Sequence, residues 1–135
     1  MDPLTFVQPE GWKAPKGYAN GVIAPAGARL VFVAGQIAWN ADQELVGRDD
    51  FGAQFRQAIA NVVAVVETAG GKAEHLTQVT IYVTSKQRYL GDLRSVGEAW
   101  RDEVGRHYPA MALVEVRDLL EEGALVEIQA IAAMP

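Results

Sequence analysis

The feature that most constrains the fold is the last predicted strand, residues 124–132, because neither of its faces is properly polar. Successive residues of a strand point to opposite sides of the sheet. One side carries Leu125, Glu127, Gln129 and Ile131, and the other carries Val126, Ile128, Ala130 and Ala132. A strand that is apolar on both sides is buried on both sides. The fold must therefore supply a cover for each face.

Two segments in the middle of the chain have the apolar period of amphipathic helices. In residues 50–69 the apolar face consists of Phe51, Phe55, Ile59, Val62 and Val66. Asp49 or Asp50 can cap the start of this helix, and Gly70 and Gly71 end it. A second helix is predicted at about 87–104, with a stripe formed by Tyr89, Leu93, Val96, Trp100 and Val104.

Two glycines, Gly91 and Gly97, fall inside the second predicted helix. Each weakens a helix by about 1 kcal/mol relative to alanine. A close approach of another backbone at these positions would explain them.

The remaining chain predicts strands at 4–7, 22–24, 30–36, 76–84, 111–117 and 124–132. Residues 8–20 are rich in proline and glycine, so we expect them to be irregular. The turn at 25–27 (Pro-Ala-Gly) predicts that strands 22–24 and 30–36 form a β-hairpin.

The resulting order, β-β-β-α-β-α-β-β in one domain of residues 1–135, predicts an α+β sheet with both helices packed on one face. The helices cover only one side of the last strand. Its second apolar side then needs another cover, most simply another copy of the chain. We therefore expect a homo-oligomer.

Composition excludes several function classes. The chain has 12 Lys and Arg against 17 Asp and Glu, a formal net charge of −5, and its basic residues are scattered. Nucleic-acid binders present a basic patch or stripe, so RNA or DNA is not the expected partner unless oligomerisation builds such a patch. The absence of cysteine removes disulfides, thiolate metal sites and cysteine nucleophiles. Two histidines are too few for a histidine-rich metal site.

The N-terminal residues lack the basic flank and apolar run of a signal peptide. Nowhere does an apolar run approach the ~18 residues of a membrane span. We expect a cytoplasmic protein with no membrane partner.

Five ordered segments carry a family resemblance: 16–22 (KGYANGV), 34–37 (AGQI), 61–70 (NVVAVVETAG), 108–110 (YPA) and 123–132 (GALVEIQAIA). Across nearly its whole length the chain resembles the RidA/YjgF family of enamine/imine deaminases. The resemblance implies a chorismate-mutase-like α+β fold with a mixed sheet, and a homotrimer with a central barrel and clefts between subunits. It also implies hydrolysis of a small 2-imino acid to a 2-keto acid and ammonia, without a cofactor or a metal.

The resemblance also assigns residues to the cleft. Tyr18 matches the cleft aromatic residue, and Gly35 matches the glycine whose backbone approaches the ligand. Glu127 matches the acid thought to handle the water, and it is our candidate catalytic residue; a structural ion pair is the alternative. Gln129 stands where a second acid is usual. Tyr18 could instead serve interface packing.

The main departure from the family is Met111, which stands where deaminating members have the arginine that grips the substrate carboxylate. Losing such a charge-assisted contact costs about 1.5–3 kcal/mol. Arg94, aligned with a cleft asparagine, could restore a cation, although it is more simply a solvated residue. Leu113 stands at a position that is commonly small or cysteine, and Trp39 could line the cleft mouth or pack at a hairpin end.

The leading hypothesis is therefore a trimeric enamine/imine hydrolase whose substrate is not the usual 2-imino acid. The alternative is a non-catalytic trimer that binds or regulates through the same cleft. A third hypothesis, a ribonuclease or translation inhibitor, follows labels given to some relatives, and the negative charge argues against it.

Overall fold

The computed structural model describes residues 3–135, which form six strands and three α-helices. Their bounds are β1 (Thr5–Val7), β2 (Gly21–Ile23), β3 (Arg29–Gln36), α1 (Phe51–Thr68), β4 (Leu76–Val83), α2 (Lys86–Leu90), α3 (Leu93–Glu103), β5 (Ala110–Glu115) and β6 (Val126–Met134). A short 3-10 turn, Ala73–His75, precedes β4.

The main sheet has four strands in the order β3-β6-β4-β5. Strand β6 is antiparallel to both of its neighbours, whereas β4 and β5 are parallel. Parallel strands need a crossover connection, and α2 with α3 provides it. The mixed sheet with helices on one face confirms the predicted α+β class.

Helix α1 begins and ends where the sequence predicts. The Asp50 carboxylate accepts a hydrogen bond from the Ala53 amide at 3.1 Å, which caps the first turn. After the helix, Gly70 adopts a positive φ of 101°, a conformation that glycine tolerates, and the chain leaves the helix there. The apolar face of α1 is fully buried against β6, and it forms the centre of the core.

The second predicted helix is in fact two helices, and the break falls at Gly91 and Asp92. The Asp92 carboxylate accepts a hydrogen bond from the Gly52 amide of α1 at 2.9 Å. An ideal Cβ on Gly52 would lie 2.7 Å from Ser95 Cβ. The close approach between helices therefore occurs at Gly52 of α1. At Gly97, where the sequence suggested one, an added Cβ would meet only the Arg101 guanidinium at 3.8 Å.

The predicted hairpin of β2 and β3 is wrong. Strand β2 pairs with β1 in a separate two-stranded sheet, and β3 pairs with β6. The turn predicted at 25–27 does form, since the Ala28 amide donates to the Pro25 carbonyl at 3.2 Å. Pairing with β6 buries Val33 in the core, whereas β1 is exposed and β2 is at most half-buried, so long-range burial decides the partner of β3.

The two faces of β6 meet different surroundings. Val126, Ile128, Ala130 and Ala132 are buried in the core beneath the helices. The opposite side is left uncovered by the helices, and we call it the open face; it comprises Phe32, Gln78, Thr80, Gln129 and Ile131. Phe32 is 71% exposed on this face. The helices thus cover one face of β6 as predicted, and residues 3–135 supply nothing that covers the open face.

Within residues 3–135, none of the helices combines the length and apolar character that crossing a membrane requires.

A buried glutamine ties α1 to two loops, one before the helix and one before β6. The Gln54 side chain is fully buried, and its Nε2 donates to the carbonyls of Gly47 at 3.2 Å and Gly123 at 3.0 Å. Its Oε1 accepts from the Leu125 amide at 2.8 Å. Since buried polar groups are costly when unpaired, these three bonds hold together two loops that lack regular structure.

Gln54→Leu keeps the volume of the side chain and leaves these backbone groups without their partner. We expect the free energy of unfolding to fall by about 2–4 kcal/mol, measured by chemical denaturation. Gln87→Leu, at an exposed position on α2, is the control and should change stability by less than ~0.5 kcal/mol. A loss below ~1 kcal/mol in Gln54→Leu would contradict the argument.

Candidate functional site

A groove of about 330 Å³ lies between α2, α3, β5 and the irregular segment that precedes β2. Its lining is mostly aromatic and aliphatic and includes Tyr18, Phe55, Tyr89, Leu93, Trp100, Tyr108, Met111 and Leu113. Such a lining is typical of a small-molecule site.

The groove exists because the irregular segment is attached to the edge of the sheet. The Ala19 amide donates to the Pro109 carbonyl at 3.0 Å, and Ala19 forms a parallel bridge with Ala110 of β5. Farther along the segment, Asn20 Nδ2 donates to Gln8 Oε1 at 2.7 Å. These contacts bring Tyr18 to the same groove as Met111.

Strand β5 supplies the floor of the groove. Met111 and Leu113 pair with Val79 and Ile81 of β4, which face the helices, and neighbouring residues of paired strands share a face. Both β5 side chains are consequently half-buried against the core. At the far wall, Trp100 stacks on Tyr108 with ring centroids 6.4 Å apart.

The predicted catalytic residue lies on the other side of the sheet. Glu127 of β6 pairs with Tyr82 and belongs to the side of the strand opposite Val126 and the core. Its carboxylate passes directly over Gly35: a Cβ at that position would overlap a carboxylate oxygen and lie 2.8 Å from Cδ. Any larger residue at position 35 would push this carboxylate out of its position, so Gly35 and Glu127 are treated as one unit.

The structure brings together only some of the sequence-predicted site residues. Tyr18, Met111 and Leu113 share the groove, and Gly35 and Glu127 lie together elsewhere. Within one chain these two groups do not meet.

Three predicted residues lie outside both groups. Gln129 is exposed on the open face. Trp39 is half-buried and forms an isolated antiparallel bridge with Leu45, and its carbonyl accepts from Asn61 Nδ2 at 2.8 Å. The Arg94 side chain is 93% exposed, and its Nε donates to Glu98 Oε1 at 3.3 Å.

Sequence reasoning did not assign most of the groove lining to a site, and the missed residues with large side chains at its walls and rim include Lys16, Tyr89, Trp100 and Tyr108. Tyr89 and Trp100 belong to the predicted helical stripe, so that stripe faces the groove as well as the core. Lys16 and Tyr108 lie in two of the segments that carry the family resemblance, but no local pattern marks their side chains.

Among residues 3–135, no group of three or more His, Cys, Asp or Glu side chains is placed to hold a metal ion.

Comparison with known proteins agrees with this architecture. The family model described as endoribonuclease L-PSP matches residues 11–134. A solved structure from Yersinia pestis, YyfB of the conserved Rid protein family, has a TM-score of 0.84 and 28% sequence identity. That similarity covers 98% of this chain and 100% of the other. The chain belongs to the Rid/YjgF family.

Other members of the Rid/YjgF family are also similar over most of their length. A RutC family protein of Pyrococcus abyssi is 31% identical over 120 residues, which is 89% of this chain and 91% of the relative. Escherichia coli TdcF, solved with bound serine, is 28% identical with a TM-score of 0.66. In that case 90% of this chain and 91% of TdcF are covered.

Gly35→Ala tests whether Gly35 and Glu127 act as one unit. In the wild-type background the new methyl group forces the carboxylate into another rotamer, at a cost of about 0.5–1.5 kcal/mol in unfolding free energy. In a Glu127→Ala background the same change should be neutral or stabilising, because glycine in a strand is itself about 0.5–1 kcal/mol worse than alanine. The unfolding free energies of the wild type, Gly35→Ala, Glu127→Ala and the double variant, measured by chemical denaturation, give the interaction energy between the two residues. Equal effects in both backgrounds would show that the two residues are independent.

Proposed function

We propose that this Rid/YjgF protein forms a homotrimer that hydrolyses a small reactive enamine or imine in clefts between its subunits. The products are ammonia and a carbonyl compound, and the substrate is not the usual 2-imino acid. No cofactor or metal takes part.

The observation that carries the proposal is the separation of Glu127 from the groove. A chain that offers an aromatic groove on one side of its sheet and a carboxylate on the other holds two halves of a site. If a second copy contributes its Glu127 to the groove of the first, the site is complete. The exposed Phe32 and the uncovered open face support association through this side of the sheet.

The chemistry needs little beyond these groups. Water adds to the carbon of the C=N bond, the nitrogen takes up protons, and the resulting carbinolamine collapses to a carbonyl compound and ammonia. An enamine first tautomerises to the imine. A carboxylate held in place can accept a proton from the water and return it to the leaving nitrogen. Glu127 has this role in the proposal.

The lining of the groove supports a substrate that differs from the usual one. Met111 presents a thioether where an arginine would pair with a carboxylate through two hydrogen bonds. Phe55, Trp100 and Leu113 add apolar surface around it. A ligand whose hydrocarbon part enters this groove loses apolar area to solvent, which favours binding.

The second candidate function is ligand binding or regulation without catalysis. It is favoured by Met111, which stands where deaminating members have an arginine, and by the apolar lining of the groove. Both reduce the number of polar groups available for chemistry. The bound serine in the TdcF structure supports small-ligand binding by a relative.

Glu127→Gln separates the two functions. If the protein is a hydrolase, the rate of ammonia release from imines generated in situ should fall about 100- to 10,000-fold, because the amide cannot exchange protons with water and nitrogen. The panel should include imines with and without a carboxylate. Secondary structure and oligomeric mass should stay unchanged.

Glu67→Gln is the matched control, since Glu67 is exposed on α1 away from both groups of site residues. Its activity should equal that of the wild type. Wild-type protein that accelerates no imine, yet binds a small ligand equally well with and without Glu127→Gln, would favour the non-catalytic function.

Phe32→Glu tests the proposed assembly. A charge buried between copies is strongly unfavourable, so the variant should lose the trimeric mass in light scattering at micromolar concentration. Glu10→Lys, an exposed charge change outside the sheet, should leave the mass unchanged. A Phe32→Glu protein with the mass of the wild type would show that the open face is not the interface.

A further inference from the structure

The groove between α2, α3 and β5 offers almost no partner for a buried anion. Of the side chains that line it within residues 3–135, only Lys16 carries a charge, and that residue is exposed on the irregular segment at the rim. Two arginines of the surrounding segments lie outside it: Arg94 faces solvent and pairs with Glu98, and Arg106 lines a neighbouring depression. A carboxylate that leaves water for the apolar part of the groove therefore gains no guanidinium in exchange, and an unpaired buried charge is costly.

The groove does offer aromatic faces. Three tyrosines line it, namely Tyr18, Tyr89 and Tyr108. Tyr18 is 43% exposed and Tyr108 is 37% exposed, so part of each ring is open to a ligand. Trp100 supports Tyr108 by stacking on its ring, and the Trp100 Nε1 donates to the His107 carbonyl at 2.9 Å. Because the face of an aromatic ring attracts a cation within ~6 Å of its centroid, these walls favour a positively charged ligand over a negatively charged one.

Glu127, which the proposed site takes from a second copy, acts in the same direction. It belongs to none of the ion pairs between described residues, whose acids are Asp49, Glu98, Asp102 and Glu103. A negative carboxylate repels a substrate carboxylate placed beside it and attracts a cation. The formal net charge of −5 adds a weaker field of the same sign at longer range.

We infer that the groove recognises its substrate as a cation, the protonated imine of a primary amine that carries an aryl or branched apolar group and no carboxylate. The apolar group lies against Met111 and Trp100, and the iminium N–H faces the tyrosine rings and Glu127 of the partner subunit. This inference rests on the proposed function and names the class of its substrate. Protonation also makes the carbon of the C=N bond more electrophilic toward water, so the form that binds is the form that reacts.

This substrate class determines the kinds of reaction on either side of the hydrolysis. Oxidation of a primary amine, which removes two electrons and two protons with molecular oxygen or an organic acceptor as the oxidant, must supply the imine. Hydrolysis then releases ammonia and an aldehyde, or a ketone where the amine is α-branched. A further oxidation or reduction must consume that carbonyl compound.

The first test compares two imines that share a ring and differ in charge. One is formed from phenethylamine by an amine oxidase, and the other is formed from phenylalanine by an amino-acid oxidase and carries a carboxylate. In the wild type, kcat/KM for ammonia release should be at least about tenfold higher for the carboxylate-free imine. Equal values, or a higher value for the carboxylate-bearing imine, would overturn the inference.

Met111→Arg places a guanidinium in the groove and should reverse this preference. The new cation repels the iminium and pairs with a carboxylate, so kcat/KM should fall about tenfold for the carboxylate-free imine and rise for the other. Gln87→Arg is the matched control, because Gln87 is exposed on α2 and does not line the groove. It should alter neither value. A Met111→Arg protein with the preference of the wild type would contradict recognition by charge.

Tyr108→Leu and Tyr108→Phe test the aromatic face. Leucine removes the ring and should lower kcat/KM for the carboxylate-free imine about three- to tenfold, whereas phenylalanine keeps the ring and should stay within about twofold of the wild type. Thermal unfolding of both variants checks that each is folded at the assay temperature. Equal losses in the two variants, or no loss in either, would show that the ring face does not bind the cation.

Direct binding keeps the inference separate from the proposed reaction. Phenethylammonium, 2-phenylethanol and phenylacetate share a ring and are a cation, a neutral molecule and an anion. Calorimetry with the wild type should give an affinity about three- to tenfold higher for phenethylammonium than for 2-phenylethanol, and the weakest binding for phenylacetate. If the wild type accelerates no imine, the proposed function fails, and this order of affinities alone decides the inference. Equal affinities, tightest binding of phenylacetate, or no binding of any of the three would overturn it.

Discussion

The pleat of β6 is the constraint on which the rest of the structure depends. Because successive side chains alternate between the faces of a strand, Val126 and Ile128 lie in the core while Glu127, between them, points the other way. A shift of the register by one residue would exchange these sets, burying the carboxylate and exposing the core. The position of the candidate catalytic group is therefore fixed by the same contacts that stabilise the fold.

The groove depends on a different kind of contact. Its floor belongs to the sheet, but one wall is an irregular segment attached through the backbone of Ala19 to Pro109. The Gln54 side chain has a similar positioning role at the opposite end of the sheet, where its hydrogen bonds join α1 to two loops. In both places a few hydrogen bonds position a segment that buries little apolar area of its own.

Local pattern was enough to predict the helix at 50–69, most of the strands and the α+β class, since each depends on periodicity within a short window. Local pattern failed where contacts between residues far apart in the sequence determine the structure. The helix expected at 87–104 divides because Asp92 reaches back to the amide of Gly52, and β3 pairs with β6 because burial outweighs a nearby turn. The family resemblance indicated the groove residues on β5. It gave no signal for Lys16, whose position depends on how the irregular segment docks.

Because one wall of the groove is attached through the segment around Ala19, the shape of the groove mouth can change independently of the packing of the core. Core substitutions must preserve volume, but an irregular surface segment tolerates insertion, deletion and change of charge at low thermodynamic cost. Residues 8–15, which precede the family-like segment 16–22, can therefore change in length or composition near the mouth of the groove while the packing of α1 on β6 stays the same. Relatives with one scaffold are then free to diverge in the ligands they admit through this segment.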